Sequence, residues 1–468
     1  MKEKLFKPLK ELSQKAHIGS LDEYNNEYNR SIKDQNLFWE EKAERINWYK
    51  KWDSVGSFDY VNGVIKWFDG GKLNVSYNCL DRHVESGKGD RTALIWEGNN
   101  PEENKTFSYN DLLIEVKKFS NVLIGLGIQK GDRVCLYMQM VPQLPIAMLA
   151  CARIGAVHSV VFGAFSSDSL RDRINDSTCK ILITQDTGVR GVKQNISMKA
   201  NADKAVAETP SIEHVVVVKR TGEPVNMVKG RDVWWQDEML EVNDECEPIE
   251  MNAEDPLFIL YTSGSTGKPK GVLHSTAGYL LYTNFSFEMI FDYKQEDIYW
   301  CTADIGWITG HSYIVYGPLS NCATSIMFEG VPNYPDFGRF WDIVDKHKVN
   351  LFYTAPTALR ALMKEGDQWV ENRDLSSLRL LGTVGEPIKE PEWMWYHSVI
   401  GKEMSPIIDT WWQTETGGIM IAPLPGATPT KPGSATFPFF GIEPVLLTEE
   451  GDEIVGNDVS GLLAIKSS

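Results

Sequence analysis

Apolar residues along this chain fall into short runs separated by polar, helix-period segments. Val134-Cys-Leu-Tyr-Met138, His158-Ser-Val-Val-Phe162, Lys180-Ile-Leu-Ile-Thr184 and Glu213-His-Val-Val-Val-Val218 are four such runs. Each is short and largely apolar, which predicts buried strands. Between them lie helix patterns. Pro142 opens one that runs to about Ile154, and Ser167-Asp168 caps another that runs to about Asn175. A second series begins after Glu254. It predicts a strand at 257–261, a helix near 276–290, strands at 298–301 and 350–354, helices at 336–347 and from Pro356, and short strands at 378–382 and 406–409. Alternation of this kind specifies an α/β fold with mostly parallel, helix-covered sheets. Two such sheet subdomains are expected, over residues 86–430.

The ends of the chain differ in character. Residues 1–85 carry Trp39, Trp48, Trp52 and Trp67 among many charges, and Asp34 precedes an aromatic helix start. They are expected to pack on the core as an N-terminal extension. Gly- and Pro-punctuated apolar runs over 431–468 predict the start of a small β-barrel-like subdomain. The acidic run 237–254 reads as a solvated connection. The chain ends directly after an apparent strand, which leads us to expect a truncated form.

Composition narrows the class. At 468 residues the chain exceeds one compact core. It is 42% hydrophobic and 24% charged, ordinary for a globular protein, and its net charge of −17 argues against nucleic acid as a partner. The seven cysteines are scattered and form no Cys-x-x-Cys pair, which fits reduced thiols in a cytoplasmic compartment. The longest apolar stretch, 145–165, is broken by Arg153, Gly155 and His158, so no membrane span is expected. The first residues lack the apolar core of a signal peptide.

Candidate chemistry centres on Tyr261-Thr-Ser-Gly-Ser-Thr-Gly-Lys-Pro-Lys-Gly271. Four serines and threonines, three glycines and two lysines follow the apolar strand Pro256-Leu-Phe-Ile-Leu260. Hydroxyls, free backbone amides and lysine charge together suit a polyphosphate. The loop is not a Walker A motif, because Gly264 and Gly267 are too close and Pro269 follows Lys268. Gly125-Leu-Gly127 lacks the third glycine of a dinucleotide fingerprint. Three more stretches mix glycine with polar or acidic residues after a strand: Thr302-Ala-Asp-Ile-Gly-Trp-Ile-Thr-Gly-His311, Gly382-Thr-Val-Gly-Glu-Pro387 and Asp409-Thr-Trp-Trp-Gln-Thr-Glu-Thr-Gly-Gly418. Each could be a plain strand-to-helix turn. Together with the loop they point to one shared site at strand C-termini.

With these motifs in view the chain resembles the acyl-adenylate-forming superfamily, and within it the AMP-forming acetyl-CoA synthetases. The likeness covers essentially the whole chain. It implies ligation of acetate to CoA through acetyl-AMP, with ATP, CoA and Mg²⁺ as cofactors and acetate as the small-molecule partner. It assigns catalysis to Thr262, Ser263, Gly264, Thr266 and Lys270 of the loop with Thr414 and Glu415, the last also as the metal ligand. ATP or AMP would be lined by Gly385, Glu386, Pro387, Asp409, Thr410, Trp411, Trp412, Gln413 and Thr414. The acetate pocket would comprise Ile308, Thr309, Val384 and Trp412, with the indole occupying the volume that longer acyl chains need. CoA would meet Arg190, Gly191, Val192, Lys193, Thr309 and Asn333. At this basic patch the family has Arg-Gly-Gly-Arg; here lysine replaces the second arginine, which keeps the charge and loses a bidentate grip. The family's C-terminal lid domain, with its catalytic lysine and any control by lysine acetylation, has no counterpart in this sequence, so impaired catalysis is expected. A propionyl-CoA or other short-chain synthetase, and a non-catalytic nucleotide-binding protein, are the alternatives.

Overall fold

The computed structural model describes residues 4–262 and 269–466. Two seven-stranded sheets organise them. The first runs in the spatial order Asp232–Trp234, His214–Val218, Ile181–Gln185, Arg133–Leu136, Val157–Val160, Pro256–Thr262, Lys270–Ser275. The second runs Ile407–Asp409, Leu380–Thr383, Leu351–Thr354, Ile298–Cys301, Thr324–Phe328, Thr92–Glu97, Asn104–Ser108. Every neighbouring pair is parallel except the last of each sheet, where an antiparallel strand closes the edge.

Alternate side chains of each strand enter different cores, as the two-residue period of a strand requires. Val134, Leu136, Ile181, Ile183, Val216 and Val218 of the first sheet share one central core with Leu94, Trp96, Tyr299, Cys301, Leu351 and Leu380 of the second. The helices Tyr109–Gly125, Gln143–Ile154 and Ala277–Ile290 lie in that core. Cys135, Leu182, Val215 and Val217 face outward onto the helices Ser167–Ser177 and Met198–Val206. Trp300, Ile326, Phe352 and Leu381 face outward onto Arg339–His347, Pro356–Lys364 and Glu390–Trp395. The result is five layers, helix, sheet, helix, sheet, helix. A strand covered on both faces has no polar face, which is why these strands read as apolar runs.

Local signals act as their chemistry dictates. Asp34 accepts the Leu37 N–H and caps Gln35–Ala43. Gly155 adopts φ +69 at the end of Gln143–Ile154, the left-handed conformation that glycine takes without a Cβ penalty. The cap of Ser167–Ser177 is Ser166, one residue earlier than the sequence pattern indicates.

Three expectations need correction. The strand before the polyphosphate loop is penultimate in its sheet, and the loop leads into the antiparallel edge strand Lys270–Ser275 before the helix Ala277–Ile290. The acidic segment is not merely solvated. Met239 of the helix Trp235–Leu240 is buried, and Met251–Asn252 pairs with Lys72–Leu73. The last segment forms no barrel among the described residues. It is an open three-stranded antiparallel sheet, Glu453–Ile454, Pro444–Leu447 and Leu462–Ile465, and strands this few and short cannot curl to closure.

The N-terminal helices lie against the segment just before that sheet. Tyr24 donates to Pro438 O (2.7 Å), Tyr28 to Ile442 O (2.9 Å), and Ser31 Oγ accepts the Gly441 N–H (2.7 Å). Phe38 and Trp39 enter the central core. Buried Arg153 makes a two-bond pair with Asp81 at 2.8 and 2.9 Å.

Candidate active site

The C-terminal ends of the parallel strands in both sheets open onto one cleft of about 750 Å³. This is where a parallel α/β sheet leaves strand-end backbone and loop side chains free to meet a ligand. Phe162, Gly163 and Thr262 reach it from the first sheet, and Thr302, Ala355, Val384 and Gly385 from the second. Trp412, Gln413, Thr414 and Glu415 follow the edge strand Ile407–Asp409 and complete the wall.

Ser263, Gly264 and Thr266 lie outside the described residues. Thr262 and Lys270 flank them as directly paired strand residues. Thr262 lines the cleft, whereas Lys270 is exposed on the edge strand and does not. From that edge strand His274 donates Nε2–H to the Thr414 carbonyl at 2.8 Å. Burial lowers the His274 pKa, which favours the neutral ring. Ser312 Oγ donates to Gly417 O (2.5 Å), and Tyr313 Oη accepts the Ile419 N–H (2.9 Å). The loop carrying Trp412 to Glu415 is thus tied to the hairpin and to the core.

Ile308, Thr309, Val384 and Trp412 all line the cleft. The first three are 7%, 9% and 6% exposed, and the half-buried Trp412 indole meets Tyr313 edge to face at 5.1 Å and 86°.

Of the nucleotide residues expected from the sequence, Gly385, Trp412, Gln413 and Thr414 line the cleft. Gly385 sits at φ +94 with open space around its missing Cβ, so backbone conformation, not crowding, selects glycine there. Glu386 accepts a hydrogen bond from Thr357 Oγ1 and, like Pro387, stands outside the lining. Asp409, Thr410 and Trp411 lie behind the wall as supports. Thr410 Oγ1 donates to Thr383 O (2.8 Å) and is 2.7 Å from Tyr353 Oη, while the Trp411 N–H donates to Ile421 O (2.9 Å).

Asp409 is buried, and burial raises its pKa to about 6 despite a bond from Thr383 Oγ1 at 2.9 Å. A carboxyl whose pKa rises on folding contributes stability below its unfolded value, and that contribution is lost as pH climbs through about 6. The stability difference between Asp409→Asn and the parent should therefore move in favour of the variant between pH 4 and 7.5, by up to about 3 kcal/mol. Urea unfolding of both proteins at the two pH values checks this. A pH-independent difference would show that Asp409 ionises freely in the fold.

Arg190 is the lining member of the basic stretch. Gly191, Val192 and Lys193 turn away from it in a hairpin, and Asn333 directly follows the lining segment Gly330-Val331-Pro332. Several cleft residues escaped the sequence reading. Asp304 lies within a quoted motif, and burial lifts its pKa to about 6, countered by the Gly306 N–H at 2.7 Å and by the Arg190 charge. Buried Glu329 is held by Arg220, more than a hundred residues away in sequence, so no spacing could reveal it. Outside the lining, His311 is fully buried, its pKa pushed down to about 4 by burial, with Nδ1 3.1 Å from Trp307 O.

Glu415 is exposed at the cleft and free to meet a hydrated cation. Among the described residues no group of three or more His, Cys, Asp or Glu could cage a metal. Mg²⁺ held by one carboxylate together with substrate phosphates and water needs no cage, so the donor set fits that mode.

Comparison with known proteins agrees with this architecture. The AMP-binding enzyme family matches residues 80–468, and the acetyl-coenzyme A synthetase N-terminus matches residues 24–79. Acetyl-coenzyme A synthetase of Rubrobacter xylanophilus is 59% identical over 93% of this chain and 67% of its own length. That of Bdellovibrio bacteriovorus is 56% identical over 100% of this chain and 72% of its own, and that of Leptospira biflexa 58% over 99% and 72%. The chain thus spans about two thirds to three quarters of these relatives. On the matched residues and on the convergence of its motifs in one cleft, the chain belongs to the acetyl-coenzyme A synthetase family of AMP-binding enzymes.

Proposed function

We propose that this protein is an AMP-forming acetate–CoA ligase whose chemistry takes place in the cleft between the two sheets. One observation carries the reading. Ile308 with Thr309, Val384 and Trp412, from three separate stretches of the sequence, line the same cleft as Thr262 and Glu415. A small acyl group held by them would share that cleft with Thr262, which opens the loop that suits a polyphosphate.

In the first half-reaction an acetate oxygen attacks the α-phosphorus of ATP, the bond to the β-phosphate oxygen breaks, and pyrophosphate leaves. In the second the CoA sulfur attacks the acyl carbon, loses its proton, and expels AMP. Such steps need alignment and neutralised charge more than a protein nucleophile. The loop from Thr262 through Ser263, Gly264 and Thr266 to Lys270 is our candidate for the β- and γ-phosphates. Gly385, Glu386 and Pro387 flank adenine, with Asp409 to Thr414 on the opposite face. A Mg²⁺ ion bound at Glu415 would neutralise phosphate charge during transfer. Arg190 and Lys193 supply charge for CoA, with Thr309 and Asn333 near its path.

No described helix is long and apolar enough to cross a membrane, and all seven cysteines are free thiols. We place the enzyme in the cytoplasm on its cysteine usage. Acid-dependent exchange of labelled pyrophosphate into ATP tests the activity across chain lengths. Acetate should support the fastest exchange, with propionate slower by roughly tenfold or more and butyrate slower still. Equal rates with propionate would favour a broader short-chain synthetase, and exchange independent of any acid would end the ligase reading.

A further inference from the structure

Arg190 and Lys193 oppose each other across the turn Gly191-Val192, in an antiparallel ribbon of Gly188–Arg190 with Lys193–Ile196. Two strands of three and four residues do not hold a shape by themselves. Two side-chain amides from distant segments hold this one. Gln139 accepts the Val189 N–H at Oε1 (2.9 Å) and donates from Nε2 to Val189 O (3.1 Å). Asn99 accepts the Gly191 N–H at Oδ1 (2.5 Å) and donates from Nδ2 to Gly191 O (3.0 Å). Each amide reproduces the paired bonds of a neighbouring strand, one residue on either side of Arg190.

Both clips are themselves fixed. Asn99 is 3% exposed, and its backbone N–H donates to Glu329 Oε2 at 3.3 Å. Arg220 in turn binds Glu329 through Nε at 2.8 Å and Nη2 at 2.7 Å. The Gln139 N–H donates to Gln185 Oε1 at 2.8 Å. Glycine at 188 leaves room for the second clip, because a Cβ there would stand 2.2 Å from Gln139 Oε1. Gly191 sits at φ +58, the conformation that the tight turn requires. Two anchors bracket Arg190, the one basic residue that lines the cleft among the described residues, which points to control of where that residue stands.

We propose that Asn99 and Gln139 are positioning residues that fix the Arg190–Lys193 ribbon in advance to receive a phosphate of CoA. This rests on the CoA reading of Arg190 given above. Holding the backbone on both sides of Arg190 removes ordering that binding would otherwise have to supply.

Calorimetric titration of CoA into the protein, with ATP titrated in parallel, tests the proposal. Asn99→Ala and Gln139→Ala should each weaken CoA roughly tenfold and leave ATP affinity unchanged. Adding Asn99→Ala to Arg190→Ala should cause no further loss, because the amide acts through the arginine. The proposal is overturned if Arg190→Ala weakens CoA while both amide variants bind it normally. It is equally overturned if the losses simply multiply in the double variant, or if ATP and CoA weaken alike. If Arg190→Ala itself leaves CoA affinity unchanged, the CoA reading of the ribbon fails first and takes the proposal with it.

Discussion

Trp412→Gly is expected to move the acid preference of the enzyme from acetate towards four- and five-carbon acids. The indole is the largest side chain at the apolar corner, and it is braced edge to face against buried Tyr313. Val384 and Ile308 are buried and packed in the central core. Each methylene that finds room in an apolar pocket contributes about 1–3 kcal/mol, or roughly 10- to 200-fold in kcat/KM. Butyrate and valerate should therefore gain by at least about tenfold relative to acetate. Acetate itself should lose, because the enlarged corner no longer confines it. The substitution also removes packing, so the melting temperature should fall. Pyrophosphate release with a series of straight-chain acids measures the ratio. An unchanged ratio in a folded variant would remove Trp412 from the acyl pocket.

Glu97→Ala is expected to cost about 3–5 kcal/mol of stability. Glu97 ends the strand Thr92–Glu97 and is wholly buried. Its carboxylate accepts Arg339 Nη2 at 2.9 Å, Lys346 Nζ at 2.6 Å and His347 Nε2 at 2.6 Å, all from the helix Arg339–His347. Burial alone would raise its pKa, but these three donors outweigh it and hold the group down at about 2. Removing the carboxylate strands Arg339, which is only 2% exposed, without its counter-charge. A depressed carboxylate pKa contributes stability that is present above the unfolded value and lost as pH falls through the folded one. The gap between parent and variant should therefore be full at pH 7 and shrink below about pH 4.5. Chemical unfolding across pH checks both parts. A gap under about 1 kcal/mol at pH 7 would show that Arg339, Lys346 and His347 are satisfied without Glu97.

The sheets were legible because burial on both faces leaves continuous apolar runs, as in Val215 to Val218. The antiparallel edge strands were not. Lys270–Ser275 alternates only loosely, with its lysine and Leu273 exposed, and Asn104–Ser108 buries little beyond Phe107. With no strand recognised at 270–275, the hairpin geometry around the polyphosphate loop was missed as well. The acyl corner was legible only through family motifs, since Trp412 by itself is indistinguishable from a core tryptophan. Long-range polar links left no trace in spacing. Asn99 meets Gly191, and Arg220 meets Glu329, only after the two sheets have formed. Asp304 and Asp409 were visible as acids, but their raised pKa values come from burial, which one-dimensional pattern does not report.

Titration of a non-hydrolysable acetyl-adenylate analogue against its hexanoyl counterpart and AMP tests the central claim most directly, because it asks for the site and not for turnover. A cleft that joins a nucleotide face to a small acyl corner should bind the acetyl analogue more tightly than AMP, and at least about tenfold more tightly than the hexanoyl one. Equal affinity for the two acyl lengths, or no gain over AMP, would contradict it.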